Sequence, residues 1–377
     1  MKKLKKQKKR KLKMSSKRII IGGGGTGGHI FPAISIAQSL REKDPGLEIL
    51  FVGAENKIEM EKVPEAGFRI IGLPVSGLQR KLTWKNISFL LNLIRSSLKS
   101  ATIIKEFKPD LAAGVGGYAS GPILRAAANK GVPTVIQEQN SYAGLTNRLL
   151  AKKARKIFVA YEGMEKYFPG EKIILTGNPV RKDIVNVSRK RKRALEFFSL
   201  NENQPVILVI GGSLGAGTIN NSIYKGLALL GKEIQLIWQT GKYYYEKLQE
   251  KTQDVTGSNI KLFPFIKEMD LAFAAADVII SRAGAGTISE LALVGKPVIL
   301  VPSPNVAEDH QTKNAMSLVK KEAAIHIADA DAEEKLVSTC LELLKDKTKR
   351  EKLGENIKSL ALPDSANRIA EEILKLV

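Results

Sequence analysis

The chain has 377 residues, a formal net charge of +22 and a single cysteine, Cys340. That length exceeds what one hydrophobic core usually serves, so two domains are expected. An apolar fraction of 44% with ordinary Gly and Pro content excludes collagen-like and wholly disordered chains, and a lone cysteine excludes an internal disulfide, as suits a reducing cytoplasm.

The first fourteen residues, MKKLKKQKKRKLKM, carry nine positive charges and no acid. Residues 1–16 are expected to form a disordered tail, because such a run repels itself and buries no core. It lacks the apolar segment of a secretory signal. A solvated tail, attraction to an anionic membrane leaflet and nucleic-acid binding all remain open readings of it. RIIIG (18–22) follows, a β-branched run expected to be a buried strand, and then GGGTGGHIFPA (23–33). Glycines between a strand and a helix let backbone N–H groups face an anion at the helix N-terminus. The spacing Gly22-x-Gly24-x-x-Gly27 also fits a dinucleotide fingerprint, so a nicotinamide-dependent dehydrogenase stays in view. Glu48, the acid at the right distance to hold a ribose, sits at the start of the expected strand LEILFVG (47–53) and is poorly placed for it. No Lys-Ser/Thr ending marks a Walker ATPase. His29 has an ordinary reading, a helix-start residue bonding backbone. It also has a chemical one, a base acting near neutral pH.

Helical patterns occupy 33–43 and 87–105. Between them PVSGLQRKLTWKNISF (74–89) mixes Leu78, Leu82 and Trp84 with Arg80, Lys81 and Lys85, the composition of a peripheral membrane contact. Ile87, Leu90, Leu91, Ile94 and Leu98, at helical spacing, are expected to face the sheet. No stretch approaches the roughly 20 apolar residues of a spanning helix. DLAAGVGG (110–117), PTVIQ (133–137) and KIFVA (156–160) read as further strands. TGNPVRKD (176–183) breaks the pattern as a linker, and SRKRKR (188–193) reads as a solvated segment beside it. The second half repeats the scheme with PVILVIGG (205–212), EIQLIWQT (233–240), IKLFPF (260–265), DVIISRAG (277–284) and KPVILVP (296–302).

Strand–helix alternation implies parallel sheets covered on both faces, with right-handed crossovers. The expected architecture is α/β: two Rossmann-like domains, 17–180 and 181–363, with a last helix at about 364–377 crossing back onto the first. Ligands in open α/β sheets bind beyond the carboxyl ends of the strands, so the site is expected in a cleft between the domains. The second half carries the richer constellation, SRAGAGTISELALVGKPVILVPSPNVAEDHQTKNA (281–315). Glu290 lies in its first helix, as a ribose-binding carboxylate or as a glutamate favoured by the helix dipole. Asp309, Gln311 and Asn314 gather at a later helix start, as caps or as readers of sugar hydroxyls.

GGTGGHIFPA, GVGGYASGP, EQN, TGNPVR, GGSLGA, SRAGAGTISEL and NVAEDHQTKNA, in this order, resemble the bacterial peptidoglycan N-acetylglucosaminyltransferases. The resemblance covers residues 17–377. It implies a two-domain GT-B fold and inverting transfer of N-acetylglucosamine from UDP-GlcNAc to the 4-hydroxyl of MurNAc in undecaprenyl-pyrophosphoryl-MurNAc-pentapeptide (lipid I), giving lipid II. It implies His29 as the base. For UDP-GlcNAc it implies Glu290 on the ribose, Ser213 and the Gly-rich turn at the diphosphate, Arg181 and Arg282 offsetting its charge, Ile266 at the uracil, and Gln311 and Asn314 on the GlcNAc hydroxyls. Ala285, Gly286 and Thr287 belong to the same donor site. Thr26, Gly27, Gly28 and Asn140 would close on the donor from the first domain, and Gly24, Gly25, Gly116 and Gly117 would face the acceptor's pyrophosphate. No cofactor and no catalytic metal are implied. The implied partners are UDP-GlcNAc, lipid I, an anionic inner membrane surface and other cell-wall synthesis proteins, with no nucleic acid. The implied location is peripheral, on the cytoplasmic face of the cell membrane. Gln137 departs from the pattern, standing where family members commonly show His. Another UDP-sugar enzyme of this architecture, a glycolipid transferase or a 2-epimerase, is the main competing reading. A dehydrogenase explains only one of the Gly-rich loops, and a nucleic-acid binder finds no helix-turn-helix or RNA-binding signature.

Overall fold

A computed structural model describes residues 17–75, 85–180, 184, 187–212, 214–253 and 259–377. The chain divides into two compact units, Met1–Val180 with Asp364–Val377, and Arg181–Pro363.

The first unit runs β1 (Arg18–Gly22), α1 (Gly27–Lys43), β2 (Glu48–Ala54), α2 (Glu59–Glu65), β3 (Arg69–Leu73), α3 (Lys85–Phe107), β4 (Leu111–Gly114), α4 (Ser120–Asn129), β5 (Thr134–Glu138), α5 (Leu145–Ala151), β6 (Lys156–Val159) and β7 (Ile173–Leu175). All seven strands are parallel, in the order β3-β2-β1-β4-β5-β6-β7. Helices cover both faces, so the central strands are continuous apolar runs rather than alternating ones. Ile19, Ile21, Phe51, Leu111 and Phe158 pack on one face with Ile30 and Ile36 of α1. Ile20, Leu50, Val52, Ile136 and Ile157 pack on the other, with Ile103 and Ile104 of α3 and Ile123 and Leu124 of α4.

The second unit runs α6 (Arg191–Phe198), β8 (Val206–Ile210), α7 (Gly217–Leu230), β9 (Gln235–Gln239), α8 (Tyr245–Thr252), β10 (Ile260–Phe263), α9 (Met269–Ala275), β11 (Val278–Ser281), α10 (Ala285–Val294), β12 (Val298–Leu300), α11 (His310–Val319), β13 (Ile325–His326), α12 (Ala332–Lys345) and α13 (Lys347–Ser359). Its parallel order is β10-β9-β8-β11-β12-β13. One core joins Val209, Trp238, Ile280 and Ile299 to Ile219 and Ile223 of α7 and Leu336 and Cys340 of α12. Burial pushes the Cys340 thiol up to about 12, which keeps it an unreactive core residue. The chain then returns to the first unit as α14 (Ser365–Leu374), whose Ile369, Ala370 and Ile373 are fully buried in the core beneath α1.

Three sequence expectations change. The helix expected at 33–43 begins at Gly27, because the two glycines read as turn residues form its first turn. Leu91, Ile94 and Leu98 do not face the sheet: they are 51%, 51% and 66% exposed. The face of α3 that packs inward carries Ser96 and Ser100, both fully buried, before Ile103, and small residues let a helix lie close to its neighbour. Lys190 and Arg191, read as solvated, pair with acids of the second unit: Lys190 Nζ lies 2.7 Å from Asp270 Oδ2 and Arg191 Nη1 lies 3.1 Å from Asp277 Oδ1. The strands β3, β7 and β13 carry no sequence expectation; each lies at or next to a sheet edge, and β7 and β13 span only three and two residues. The tail at 1–16 and Leu78, Leu82 and Trp84 lie outside the described residues.

Candidate functional site

In the first unit β1 pairs with β2 on one side and β4 on the other. Chain connections diverge there, leaving a crevice at the carboxyl ends of the strands. The loops after β1 and β4 meet in it. Gly116 and Gly117 adopt φ of +87° and +83°, and a Cβ on Gly117 would fall 2.0 Å from the Gly24 carbonyl oxygen. Only glycine permits this close backbone approach. The Gly24 N–H donates to Gly116 O at 3.3 Å, and the Gly23 N–H to Val52 O at 3.0 Å. The Gly25 N–H donates to Glu59 Oε1 at 2.8 Å, and the Ala54 N–H donates to the same oxygen at 2.8 Å. Glu59, on α2, is fully buried. Gly24 and Gly25 therefore shape the turn with their N–H groups engaged inside the unit. The first-turn N–H groups of α1, at Gly27 and Gly28, have no intrahelical acceptor and follow the extended Thr26, which makes no side-chain cap bond.

His29 stands in the first turn of α1. Its Nδ1 lies 3.0 Å from Gln139 Oε1. A Cβ at Gly116 would fall 2.8 Å from that nitrogen, so the bare backbone makes room for the ring. Asn140, two residues beyond β5, is held by Glu138. One carboxylate oxygen accepts from the Asn140 N–H at 3.0 Å and side chain at 3.3 Å, and the other accepts from the Gly144 N–H at 3.1 Å and Asn147 Nδ2 at 2.8 Å. Gln137 is buried and donates through Nε2 to Asn178 Oδ1 at 3.0 Å.

The second unit repeats the arrangement where β8 separates β9 from β11. In the loop after β8, Gly212 and Gly215 adopt positive φ, and a Cβ on Gly215 would fall 2.1 Å from Thr240 O. Ser213 of this loop and Arg181 of the linker lie outside the described residues. After β11, extended Gly284 leads into Ala285, Gly286 and Thr287, the first turn of α10. Nothing stands within 4 Å of where a Gly286 Cβ would sit. Glu290 is half-buried on the same helix. Gln311, on α11, accepts through Oε1 from the Ala283 N–H at 3.2 Å and the Ser303 N–H at 2.9 Å, joining the loops after β11 and β12. Its amide nitrogen is left to donate.

Three expected donor contacts have other occupations here. Arg282 Nη1 donates to Val301 O and Pro302 O at 3.0 Å each and pairs with Asp329 Oδ1 at 2.5 Å. Its charge is thus matched within the unit. Ile266 is 3% exposed, with its N–H on Gln239 Oε1 at 2.9 Å, so its side chain belongs to the interior. Asn314 is 1% exposed and donates to Ala283 O at 3.4 Å, supporting the turn before α10. Sequence reasoning misses Glu59, Gln139, Asn178 and Asp329. Asp329 belongs to an Asp-x-Asp pair, Asp329-Ala330-Asp331; its second oxygen accepts from Thr218 Oγ1 at 2.9 Å, while Asp331 lies 3.3 Å from Lys335.

Two Gly-rich crevices on two parallel sheets are shared by many nucleotide-sugar enzymes, and the comparisons with known proteins decide among them. Residues 19–159 match the glycosyltransferase family 28 N-terminal domain and residues 206–369 its C-terminal domain. A Bacteroides fragilis UDP-N-acetylglucosamine–N-acetylmuramyl-(pentapeptide) pyrophosphoryl-undecaprenol N-acetylglucosamine transferase is 56% identical over 363 residues, 95% of each chain. The transferase of the same name from Bacteroides thetaiotaomicron is 57% identical, over 95% of this chain and 97% of its own. The chain belongs to this transferase family. Its fold agrees: the crystal structure of Acinetobacter baumannii MurG matches with a TM-score of 0.78 and 27% identity, over 95% of this chain and 99% of that one. The transferase's two units are the GT-B pair of Rossmann-like domains.

Proposed function

We propose that the protein transfers GlcNAc from UDP-GlcNAc to the MurNAc 4-hydroxyl of lipid I, with inversion at the anomeric carbon, giving lipid II. The observation that carries this reading is the 56% identity to a transferase of that name, spread over 95% of the chain and including both crevices. We assign the donor to the second unit. Glu290 accepts the ribose hydroxyls, the loop after β8 and the first turn of α10 meet the diphosphate, and the Gln311 amide nitrogen donates to the sugar. The acceptor pyrophosphate is assigned to the first unit, at Gly27 and Gly28. His29 takes the proton of the attacking hydroxyl while the electron pair of the C1–O bond leaves on UDP. Charge grows on the leaving diphosphate, so fixed N–H donors aimed at it lower the barrier most. We assign the membrane approach to the first unit as well: exposed Leu91, Ile94 and Leu98 of α3 continue the apolar and basic sequence of 74–89.

The test is UDP release from UDP-GlcNAc with a lipid I analogue, with lipid II identified by mass. A purified protein that releases UDP only by hydrolysis, or that epimerises UDP-GlcNAc without acceptor, sinks this reading.

A further inference from the structure

We infer that a chain of buried side-chain amides, Asn178–Gln137–Gln139, fixes the tautomer of His29, with the proton on Nδ1 and the lone pair on Nε2. Its catalytic meaning rests on the assignment of His29 as base. Gln137, Gln139 and Asn178 are 2%, 2% and 1% exposed, so water does not compete for their hydrogen bonds. An amide's oxygen and nitrogen are told apart by their partners, and backbone carbonyls, which can only accept, supply the reference at both ends. Asn178 Nδ2 donates to the Gln139 backbone O at 3.0 Å. That leaves Asn178 Oδ1 to accept from Gln137 Nε2 at 3.0 Å. Gln137 Oε1 must then accept, and it does so from Gln139 Nε2. The same nitrogen donates to Val115 O at 2.7 Å. With both hydrogens of Gln139 Nε2 so placed, Gln139 Oε1 is the atom 3.0 Å from His29 Nδ1. A carbonyl oxygen cannot donate, so Nδ1 carries the hydrogen and Nε2 is the basic nitrogen.

Turning any amide over would set N–H against N–H or oxygen against oxygen somewhere in the chain. The wrong ring tautomer, which could not accept a proton at Nε2, is therefore disfavoured before substrate arrives. When the acceptor hydroxyl gives its proton to Nε2, the imidazolium keeps its Nδ1–H on Gln139 and nothing else need move. Gln139 is thus a positioning residue, and Gln137, at the position where a His was expected, is the link that sets its orientation. Gly116 takes part by leaving space for the ring.

Nitrogen-15 NMR of the full-length protein labelled at histidine reads the tautomer directly. The chain has three histidines, so the spectrum of His29→Ala identifies the signal. Neutral His29 should show a protonated Nδ1 and a pyridine-like Nε2. Gln139→Leu should mix the two forms and lower kcat by about 10–100-fold, within what a general base contributes, with KM for UDP-GlcNAc unchanged. A neutral ring protonated at Nε2 in the parent protein overturns the inference even if Gln139→Leu fails to fold. So does a folded Gln139→Leu with parental kcat. If instead His29→Ala keeps full activity while the parent ring shows the expected tautomer, the amide chain stands and the base assignment falls.

Discussion

Glu59 shows most clearly what one residue contributes to the first crevice. Its carboxylate sits under two loops at once, accepting from Gly25 after β1 and Ala54 at the end of β2. A side chain on Gly24 would collide with it, the Cβ falling 2.1 Å from Oε1. Glycine at 24 and glutamate at 59 are therefore one device, a bare turn wrapped on a buried acceptor. Glu59→Ala should leave two donors unsatisfied at about 1–3 kcal/mol each. We expect a lower urea midpoint for the first unit and faster amide exchange at Gly25 and Ala54; unchanged exchange would show that the loop holds its shape without the acid. The sequence hides this role because EMEKVPE looks like an acid-rich surface helix, and nothing local marks which of its acids turns inward. The placement of His29 and Glu290 on helices that follow Gly-rich turns at strand ends was legible. Gln139 and Asn178 were not, since their meaning lies in a chain of hydrogen bonds between segments distant in sequence. Arg282 misleads for a related reason: a cation beside an expected phosphate site looks available until Asp329, 47 residues on, is seen to hold it.

At the level of elements, the strands of both sheet centres were readable because burial on both faces demands unbroken apolar runs. Edge strands such as β13 lack that demand. The α3 periodicity was readable and its direction was not: an apolar stripe at helical spacing predicts a face, and only the buried serines on the opposite side reveal that it points away from the sheet. The last helix, α14, returns to the first unit and is secured there by Lys43–Glu371 at 2.7 Å, by Lys156 on Glu372, and by Arg368 Nη2 on Leu175 O at 3.0 Å. Its apolar contacts matter more than these partly exposed pairs. Ile373→Ala should cost about 2–5 kcal/mol, seen as a lower melting temperature of the first unit with UDP affinity of the second unchanged. A variant as stable as the parent would mean that α14 is dispensable. In the second unit burial alone would raise the Asp270 carboxyl, but the hydrogen bond and charge of Lys190 outweigh it and hold it below its ordinary value. A depressed folded-state value stabilises at neutral pH and is lost as pH falls through the carboxylate range. The denaturation midpoint of Asp270→Asn should thus lie below the parent's at pH 7 and converge on it below about pH 4. A constant gap across that range would assign the effect to packing.

For the whole molecule the governing quantity is the +22 charge and where it sits. Nine cations lie in residues 1–14, at the N-terminal end of the sequence whose first unit carries the exposed α3 stripe. Among the described residues no helix is long and apolar enough to cross a membrane; under the proposed function, two surface features would meet the bilayer that holds a lipid-linked acceptor. The two features differ in physics. Attraction of Lys and Arg to an anionic leaflet is worth on the order of 1 kcal/mol each and is screened over about 8–10 Å at ordinary salt. Burial of Leu91, Ile94 and Leu98, together with Leu78, Leu82 and Trp84, is insensitive to screening. Liposome sedimentation separates them. Deleting residues 1–14 should remove most of the binding to anionic vesicles that disappears on raising salt, and leave binding to neutral vesicles as it was. Replacing Leu91, Ile94 and Leu98 with serine should remove binding that persists at high salt, with no loss of fold because these side chains face outward in the first unit; the companion change at Leu78, Leu82 and Trp84 should act in the same direction. Turnover of a soluble, short-chain acceptor should survive all of these changes, since neither crevice is touched, while turnover of lipid I in vesicles should fall with binding. A serine variant that binds vesicles at high salt as well as the parent would move the docking surface off α3.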